Sequence, residues 1–266
     1  MTAQLRLIPP CILLLSVTAC APTVYTLLPD QEEYFKNLHT IALASPGFQM
    51  SPNTATKEEE AQFNARLEVV RKQFESLMTA KLSEAGFSVV PSDEYRKIWE
   101  QLVKAHGGVF DPVTGKKDDA RYEAIQKKAA QEISARLPIN AVLYLSIVHV
   151  TVHFASGVAK WDGTDQHIDG SLTRVEGVSG FFKTFFGSGA NTSGNLPAIS
   201  LKVRITDVQT GDDKFNHRGG IQLVMKRGAW YSTNLVPIQT EELFASEERN
   251  SGAVTYALDP IMRRPR

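Results

Sequence analysis

The sequence predicts an α/β (α+β) fold: a single layered domain in which helices flank a mixed β-sheet, with a β-meander in the second half. Helical and strand patterns alternate from residue 40 to about residue 140, as they do in layered folds. Strands rich in Val, Ile and aromatic residues follow, separated by Asp-Gly turn signals. With 42% apolar residues, the chain can also bury one sizeable core.

Three helices and two strands are expected in the first half. Apolar residues from Phe63 to Leu77 recur at steps of four and three, which is the core stripe of a helix. Ser92 and Asp93 are candidate caps of the next helix. The predicted elements are a strand and turn at Thr40–Phe48, a helix ending near Leu82, a strand at Phe87–Pro91, a helix at Ser92–Ala105, a loop at Gly107–Asp119 and a helix at Ala120–Leu137.

The second half begins with the longest strand signal, Asn140–Ser156, and continues as a meander through two Asp-Gly turns. Residues 198–225 alternate like two strands, with a hairpin turn at Gln209–Asp212. Residues 239–262 are expected to form a helix broken near Ser251 and Gly252. No second domain is indicated.

An apolar run, Leu7–Val17, ends abruptly at Val17-Thr18-Ala19-Cys20. The run is shorter than the roughly 20 residues of a membrane-spanning helix and fits the central part of a secretory signal. Its end resembles the lipobox of bacterial lipoproteins. The resemblance implies cleavage after Ala19 and a diacylglycerol on the Cys20 sulfur, with further acyl chains such as palmitate. Because Ala21 rather than Asp follows, it also implies an outer-membrane location facing the periplasm.

The chain therefore divides into a signal peptide (1–19), a lipidated Cys20 with a short tether (20–37) and a periplasmic domain (38–266). The tether reaches at most about 60 Å from Cys20 to Leu38. Because Cys11 leaves with the signal and Cys20 is acylated, no thiol remains for a disulfide, a metal or catalysis. The rest carries 28 basic and 29 acidic residues, which argues against nucleic acid as a partner.

The order of elements, the helix exit "AGFSVVP" and the hairpin "ITDVQTGDDKF" resemble a superfamily of periplasmic lipoproteins over residues 38–225. It contains the curli-secretion lipoprotein and the lipoprotein activators of penicillin-binding proteins. The resemblance implies a binding fold without a catalytic centre. This chain departs from the activators in its short tether, and from the curli lipoprotein because only Asn140–Ser156 has the length of a membrane-spanning strand.

Catalytic and metal-binding patterns are weak throughout. His149 and His153 would pair on a helix, but on a strand they lie about 13 Å apart, too far for one zinc ion. The stretch "FDPVTGKKDD" fits a turn better than a phosphate or calcium loop. Asp162, Asp165 and Asp169 fit Asp-rich turns better than a hydrolase pair. No metal or cofactor is expected.

One glycine-flanked stretch, Gly180–Gly194, which we call the aromatic segment, is a candidate interface. Its four phenylalanines would share one side of a short helix. They would either contact a membrane, a partner or a sister subunit, or fold onto the protein's own sheet. The four residues are Phe181, Phe182, Phe185 and Phe186.

The sequence thus favours a non-catalytic outer-membrane lipoprotein, an assembly or adaptor subunit of an envelope complex. Its expected partners are the membrane, through Cys20, an envelope protein of unknown identity, and a second copy of the chain in a possible homo-oligomer. Two alternatives stay open: a subunit of an oligomeric secretion channel, and a cell-wall hydrolase with an Asp/Glu pair.

Overall fold

The computed structural model describes residues 27–44, 47–48, 57–111, 114, 116–155, 157–167, 174–175, 193–227, 234–239 and 242–263. Ala19, Cys20, Asp169 and the four phenylalanines of the aromatic segment lie outside these ranges. The predictions made for those residues, and the division into signal, tether and domain, therefore stay predictions.

The described residues form five helices and eleven strands. The helices are α1 Pro29–Asn37, α2 Lys57–Glu84, α3 Ser92–Ala105, α4 Asp119–Arg136 and α5 Glu247–Met262. The strands are β1 Thr40–Leu43, β2 Gly47–Phe48, β3 Ser88–Val90, β4 Ala141–Ala155, β5 Val158–Trp161, β6 Thr164–His167, β7 Arg174–Val175, β8 Ser193–Asp207, β9 Asp213–Leu223, β10 Met225–Arg227 and β11 Asn234–Pro237.

The long strand β4 is the centre of a mixed sheet, as predicted. On one side it runs parallel to β1, which in turn runs parallel to β3. On the other side it pairs antiparallel with β8 along its whole length, from Ala141 opposite Asp207 to Ala155 opposite Ser193. Strand β9 continues the meander beyond β8. Strands β10, β11 and β7 form a second, small sheet.

Alternate residues of β4 bury into two separate cores, because successive side chains of a strand point to opposite faces. Leu143 and Leu145 pack in the core that contains residues of α1, α2 and α5. Val142 and Tyr144 pack in the core that contains residues of α3 and α4. The domain therefore has three layers: helices, sheet, helices.

The predicted stripe of α2 is confirmed at Val70 and Phe74, whereas Leu67 and Leu77 are only half-buried. Val70, Phe74, Met78 and Leu82 are all fully buried. At the start of α3 the cap prediction is wrong: Pro91 is the N-cap and makes no side-chain cap bond. The Ser92 hydroxyl is turned inward, where it donates a 2.7 Å hydrogen bond to Glu75 and links α3 to α2.

Helix α5 is continuous, so the predicted break near Ser251 and Gly252 is wrong. Gly252 is exposed and has open space around it, so it only weakens the helix locally. Packing of the next residue outweighs that weakness. The backbone of Ala253 lies against Gly219 of β9, so closely that a Cβ at Gly219 would lie 2.0 Å from the Ala253 carbonyl oxygen.

Half of the predicted tether is folded. Helix α1 follows Leu28 and buries Phe35 completely, in edge-to-face contact with Phe215 at 5.9 Å between ring centroids. The Gln31 side chain donates a 3.0 Å hydrogen bond to the Lys214 carbonyl. Together with the flanking buried residues Leu27 and Leu38, Phe35 docks a nine-residue helix that composition alone assigns to a linker.

The Asp162-Gly163 turn is confirmed between β5 and β6, where both residues adopt positive φ angles of 40° and 74°. The hairpin folds across the sheet toward β9, because the Gly220 amide donates to the Asp162 carbonyl at 2.8 Å. No helix within the described ranges combines the length and apolar character that a membrane crossing requires.

Candidate functional site

A cleft of about 440 Å³ lies between α4 and the hairpin that joins β8 to β9. Helix α4 supplies one wall, the hairpin supplies the other, and Tyr144 of β4 lies at the bottom. Its charged and polar lining consists of Glu123, Gln126, Lys127, Gln131, Arg204, Thr206, Asp207, Gln209, Asp212 and Asp213.

Arg204 is the central cation of this cleft. Its guanidinium lies over the Tyr144 ring, with the carbon atom 4.6 Å from the ring centroid. One guanidinium nitrogen donates to the Gln126 side-chain oxygen at 2.9 Å and another lies 3.4 Å from a carboxylate oxygen of Asp213. Asp213 is in turn fixed by the Thr206 hydroxyl at 2.7 Å. The cation is therefore held in one orientation by α4, β4 and β9 together.

The bottom of the cleft is rigid because two tyrosines are buried beneath Arg204. The Tyr95 hydroxyl of α3 donates to the Tyr144 hydroxyl at 3.2 Å, and the rings meet edge to face. Burial raises the pKa of Tyr144 to about 12 and raises the pKa of Tyr95 as well. Both phenols are therefore neutral at neutral pH and act as packing and hydrogen-bonding groups.

The hairpin wall is built by its own turn residues. A carboxylate oxygen of Asp207 accepts hydrogen bonds from the backbone amides of Gln209 and Thr210, at 2.9 and 2.7 Å. Gly211 takes a φ of 75°, which favours glycine. The Lys127 side chain of α4 lies beside Gly211, where an added Cβ would stand 3.5 Å from its Cε. The turn thus sets the width of the cleft.

An aromatic cluster adjoins the cleft on α3, α4 and the loop between them. Trp99 and Tyr122 meet edge to face at 5.1 Å, and the Lys117 ammonium lies 3.7 Å from the Tyr122 ring centroid. Phe110 projects from the loop with 58% of its surface exposed. Gln126 joins the two regions, because it donates to the Tyr122 hydroxyl at 3.2 Å and accepts from Arg204.

We call the cleft and this cluster together the α4 surface. Aromatic residues and arginine are the side chains most enriched at the centres of protein interfaces, where they are usually held in place before binding. The cleft lining contains no serine, cysteine or histidine. No group of three or more potential metal ligands was found among the residues that the structure describes. The arrangement is suited to recognition of a polar and aromatic surface.

The histidine pair of β4 does not form a site in the described structure. His149 and His153 are both exposed on one face of the strand, and a His153 ring nitrogen lies 3.4 Å from the Asn195 side-chain oxygen. Although the residue is exposed overall, partial desolvation of its ring by neighbouring atoms lowers the pKa of His149. Neither histidine belongs to a metal-binding cluster within the described ranges.

The acidic residues of the turns have separate structural partners. Asp162 accepts a 2.7 Å hydrogen bond from the Ser200 hydroxyl, and Asp165 forms a 3.0 Å ion pair with Lys160. Asp111 accepts hydrogen bonds from the amide and the hydroxyl of Thr114, as expected for the predicted turn. Asp162 and Asp165 are therefore each engaged with a partner of their own, rather than with each other as a hydrolase pair.

The sequence signals for the α4 surface were present but incomplete. The hairpin turn at Gln209–Asp212 was predicted as structure, without a role in binding. In β8, apolar residues such as Leu201 alternate with polar residues such as Arg204. This alternation predicts that Leu201 faces the core and that Arg204 faces away from it. Only the pairing of β8 with β4 brings Arg204 above Tyr144, and that pairing joins residues 60 positions apart.

No protein-family model matches the chain, and no curated protein matches it in sequence. The solved structures that resemble it weakly include the following three. The lipoprotein GNA1162 from Neisseria meningitidis is 15% identical, over 69% of this chain and 82% of that one, with a TM-score of 0.30. The LpoB C-terminal domain from Salmonella enterica is 13% identical over the same shares, with a TM-score of 0.26. A neuraminyllactose-binding hemagglutinin homolog from Helicobacter pylori is 10% identical over 85% of each chain, with a TM-score of 0.29.

Proposed function

We propose that this protein is a non-catalytic adaptor that is lipid-anchored to the bacterial outer membrane and binds an envelope protein through the α4 surface. The observation that carries the proposal is the construction of that surface. Arg204, Tyr144, Tyr122 and Trp99 are fixed by contacts among α3, α4, β4, β8 and β9, and the exposed Phe110 pairs with Lys117, which lies over the Tyr122 ring. Such preorganised side chains lose little conformational entropy on binding.

Binding rather than catalysis is favoured by how the polar groups of the cleft are used. Arg204, Asp213 and Thr206 engage one another, and Asp207 serves the turn. A general base or a nucleophile needs a free lone pair directed at the substrate. The hydrogen bonds of these side chains instead hold the shape of the cleft.

The charges of the cleft indicate the kind of partner. Its lining has four carboxylates, Glu123, Asp207, Asp212 and Asp213, but only two cations, Lys127 and Arg204. Complementary charges raise association rates and select between partners. The proposed ligand is therefore a protein segment that carries Lys or Arg together with an apolar side chain for the aromatic cluster.

The lipobox supports the proposed lipid anchoring to the outer membrane. Several acyl chains on Cys20 give stable anchoring, whereas a single chain is marginal. Because α1 belongs to the folded body, only residues 21–26 lie between the acylated cysteine and the first described residue, Leu27. The adaptor would act close to the membrane that holds it.

Affinity capture from bacterial envelopes, followed by mass spectrometry, tests the proposal. Phe110→Ser is the informative variant because Phe110 is 58% exposed. Val69→Ser is its matched control, since Val69 is 57% exposed on α2, which packs on the opposite face of the sheet. We expect Phe110→Ser to lose a partner that the wild type and Val69→Ser both retain, at unchanged melting temperature. Equal capture by all three proteins would contradict the proposed surface.

A further inference from the structure

The pair of strands β4 and β8 gives the molecule two distinct ends. The strands pair over 15 residues, which corresponds to about 46 Å at roughly 3.3 Å per residue. The β8–β9 turn and the cleft lie at one end, where Ala141 is opposite Asp207. Ala155 and Ser193 lie at the other end, next to the β5–β6 hairpin.

Helix α1 is docked at the cleft end. Gln31 bonds to the Lys214 carbonyl, and the Lys214 ammonium forms a 3.6 Å ion pair with Asp212 of the cleft wall. Phe35 anchors the helix against Phe215, the residue that follows Lys214. The first described part of the chain after Cys20 is therefore in contact with the hairpin that forms the cleft.

The length of chain before α1 limits how far this end can stand from the lipid. Seven residue steps separate Cys20 from Leu27 and span at most about 25 Å. One turn of α1 then adds about 6 Å before Gln31 touches the hairpin. With Cys20 acylated, the cleft wall begins within about 35 Å of the membrane surface, while the other end of the β4–β8 pair is free to point away.

We infer that the cleft end faces the membrane and that its occupant is a basic segment of an envelope protein lying at the membrane surface. The inference rests on the proposed anchor and on the proposed binding function. Asp30 and Glu33 are exposed on α1 at this end, as are Asp212 and Asp213 on the hairpin. Asp212 and Asp213 are paired with Lys214 and Arg204, so the excess negative charge that attracts a basic segment comes from Asp30, Glu33 and Glu123.

Energy transfer to the membrane measures the orientation. The full lipidated chain carries a donor dye at Gln209→Cys in the hairpin turn or at Ala155→Cys at the opposite end, both exposed positions. It is incorporated into phosphatidylethanolamine and phosphatidylglycerol vesicles that contain headgroup-labelled acceptor lipid. We expect stronger donor quenching at position 209 than at position 155. Equal quenching, or stronger quenching at 155, overturns the orientation while leaving the anchor intact.

Failure of the anchor gives a different result, because a chain that does not incorporate into the vesicles shows no quenching at either position. That result overturns the proposed membrane anchoring and this orientation together.

The occupant is tested with a Lys- and Arg-rich peptide coupled to the vesicle lipid and a length-matched Glu-rich peptide as the control. We expect Gln209→Cys to crosslink to the basic peptide and Ala155→Cys not to. Equal crosslinking to both peptides, or none to either, overturns the proposed occupant.

Discussion

Gly219→Ala is the substitution that tests the packing of the sheet against α5 most sharply. Gly219 lies in β9, and the helix backbone at Ala253 passes directly over it. An added Cβ would stand 2.0 Å from the Ala253 carbonyl oxygen and 2.7 Å from its carbon. These neighbours are backbone atoms, so no side-chain rotation relieves the contact.

The cost follows from how far the helix must move. Ordinary van der Waals contact begins near 3.4 Å, so α5 has to shift by about 1.4 Å or more. The helix buries Ala253, Val254, Ala257 and Leu258 to 1% exposure or less, and a shift loosens all four. Overpacking typically costs 1–3 kcal/mol, and we expect the upper end of that range, about 3 kcal/mol.

Thermal and urea unfolding of the unacylated chain measure this cost, which should lower the melting temperature by about 6–12 °C for a protein of this size. Gly252→Ala is the matched control, since Gly252 lies in the same helix with open space around it. It should raise the free energy of unfolding by about 0.5–1 kcal/mol. A Gly219→Ala protein as stable as the wild type would refute the described packing of α5.

Three further predictions concern α1, the buried tyrosines and the anchor. Phe35→Ala should cost about 3–5 kcal/mol in unfolding experiments because the ring is fully buried, whereas loss of a side chain from a flexible tether would leave stability unchanged. Burial raises the pKa of Tyr144 to about 12. The stabilisation of the folded state that comes from this raised pKa is complete below the pKa of the unfolded chain, near 10, and is lost as the pH rises through 12. Stability should therefore fall by about 2–3 kcal/mol over that interval, and by less in Tyr144→Phe. Cys20→Ala should leave the membrane fraction of fractionated cells, and equal partition of mutant and wild type would contradict the lipobox assignment.

Elements set by local chemistry could be predicted from the sequence. The stripe of α2, the β4 strand and the Asp162-Gly163 turn follow from periodicity and turn residues, and each is present. Contacts between distant residues overrode local signals elsewhere. The close approach of Ala253 to Gly219 keeps α5 whole through Gly252, and Phe215 draws Phe35 into the core.

The candidate site was harder to predict because no single segment contains it. Arg204 alternates with core residues like many exposed strand cations, and nothing near it in sequence marks it as central. Its partners Gln126 and Tyr144 come from α4 and β4, and Asp213 comes from the other side of the hairpin. Strand register, which the sequence pattern specifies only weakly here, determines that these side chains meet.

Binding of the captured envelope partner to charge-reversed variants tests most directly whether the α4 surface is the binding site. Glu123→Lys reverses an exposed carboxylate in the cleft, and Glu248→Lys makes the same change on α5, whose buried side lies in the core on the opposite face of the sheet. Both variants should unfold close to the wild-type temperature. We expect Glu123→Lys to weaken binding about tenfold, equivalent to about 1.4 kcal/mol, and to reduce its salt dependence, while Glu248→Lys binds like the wild type. Equal affinities for the two variants would contradict the α4 surface as the binding site.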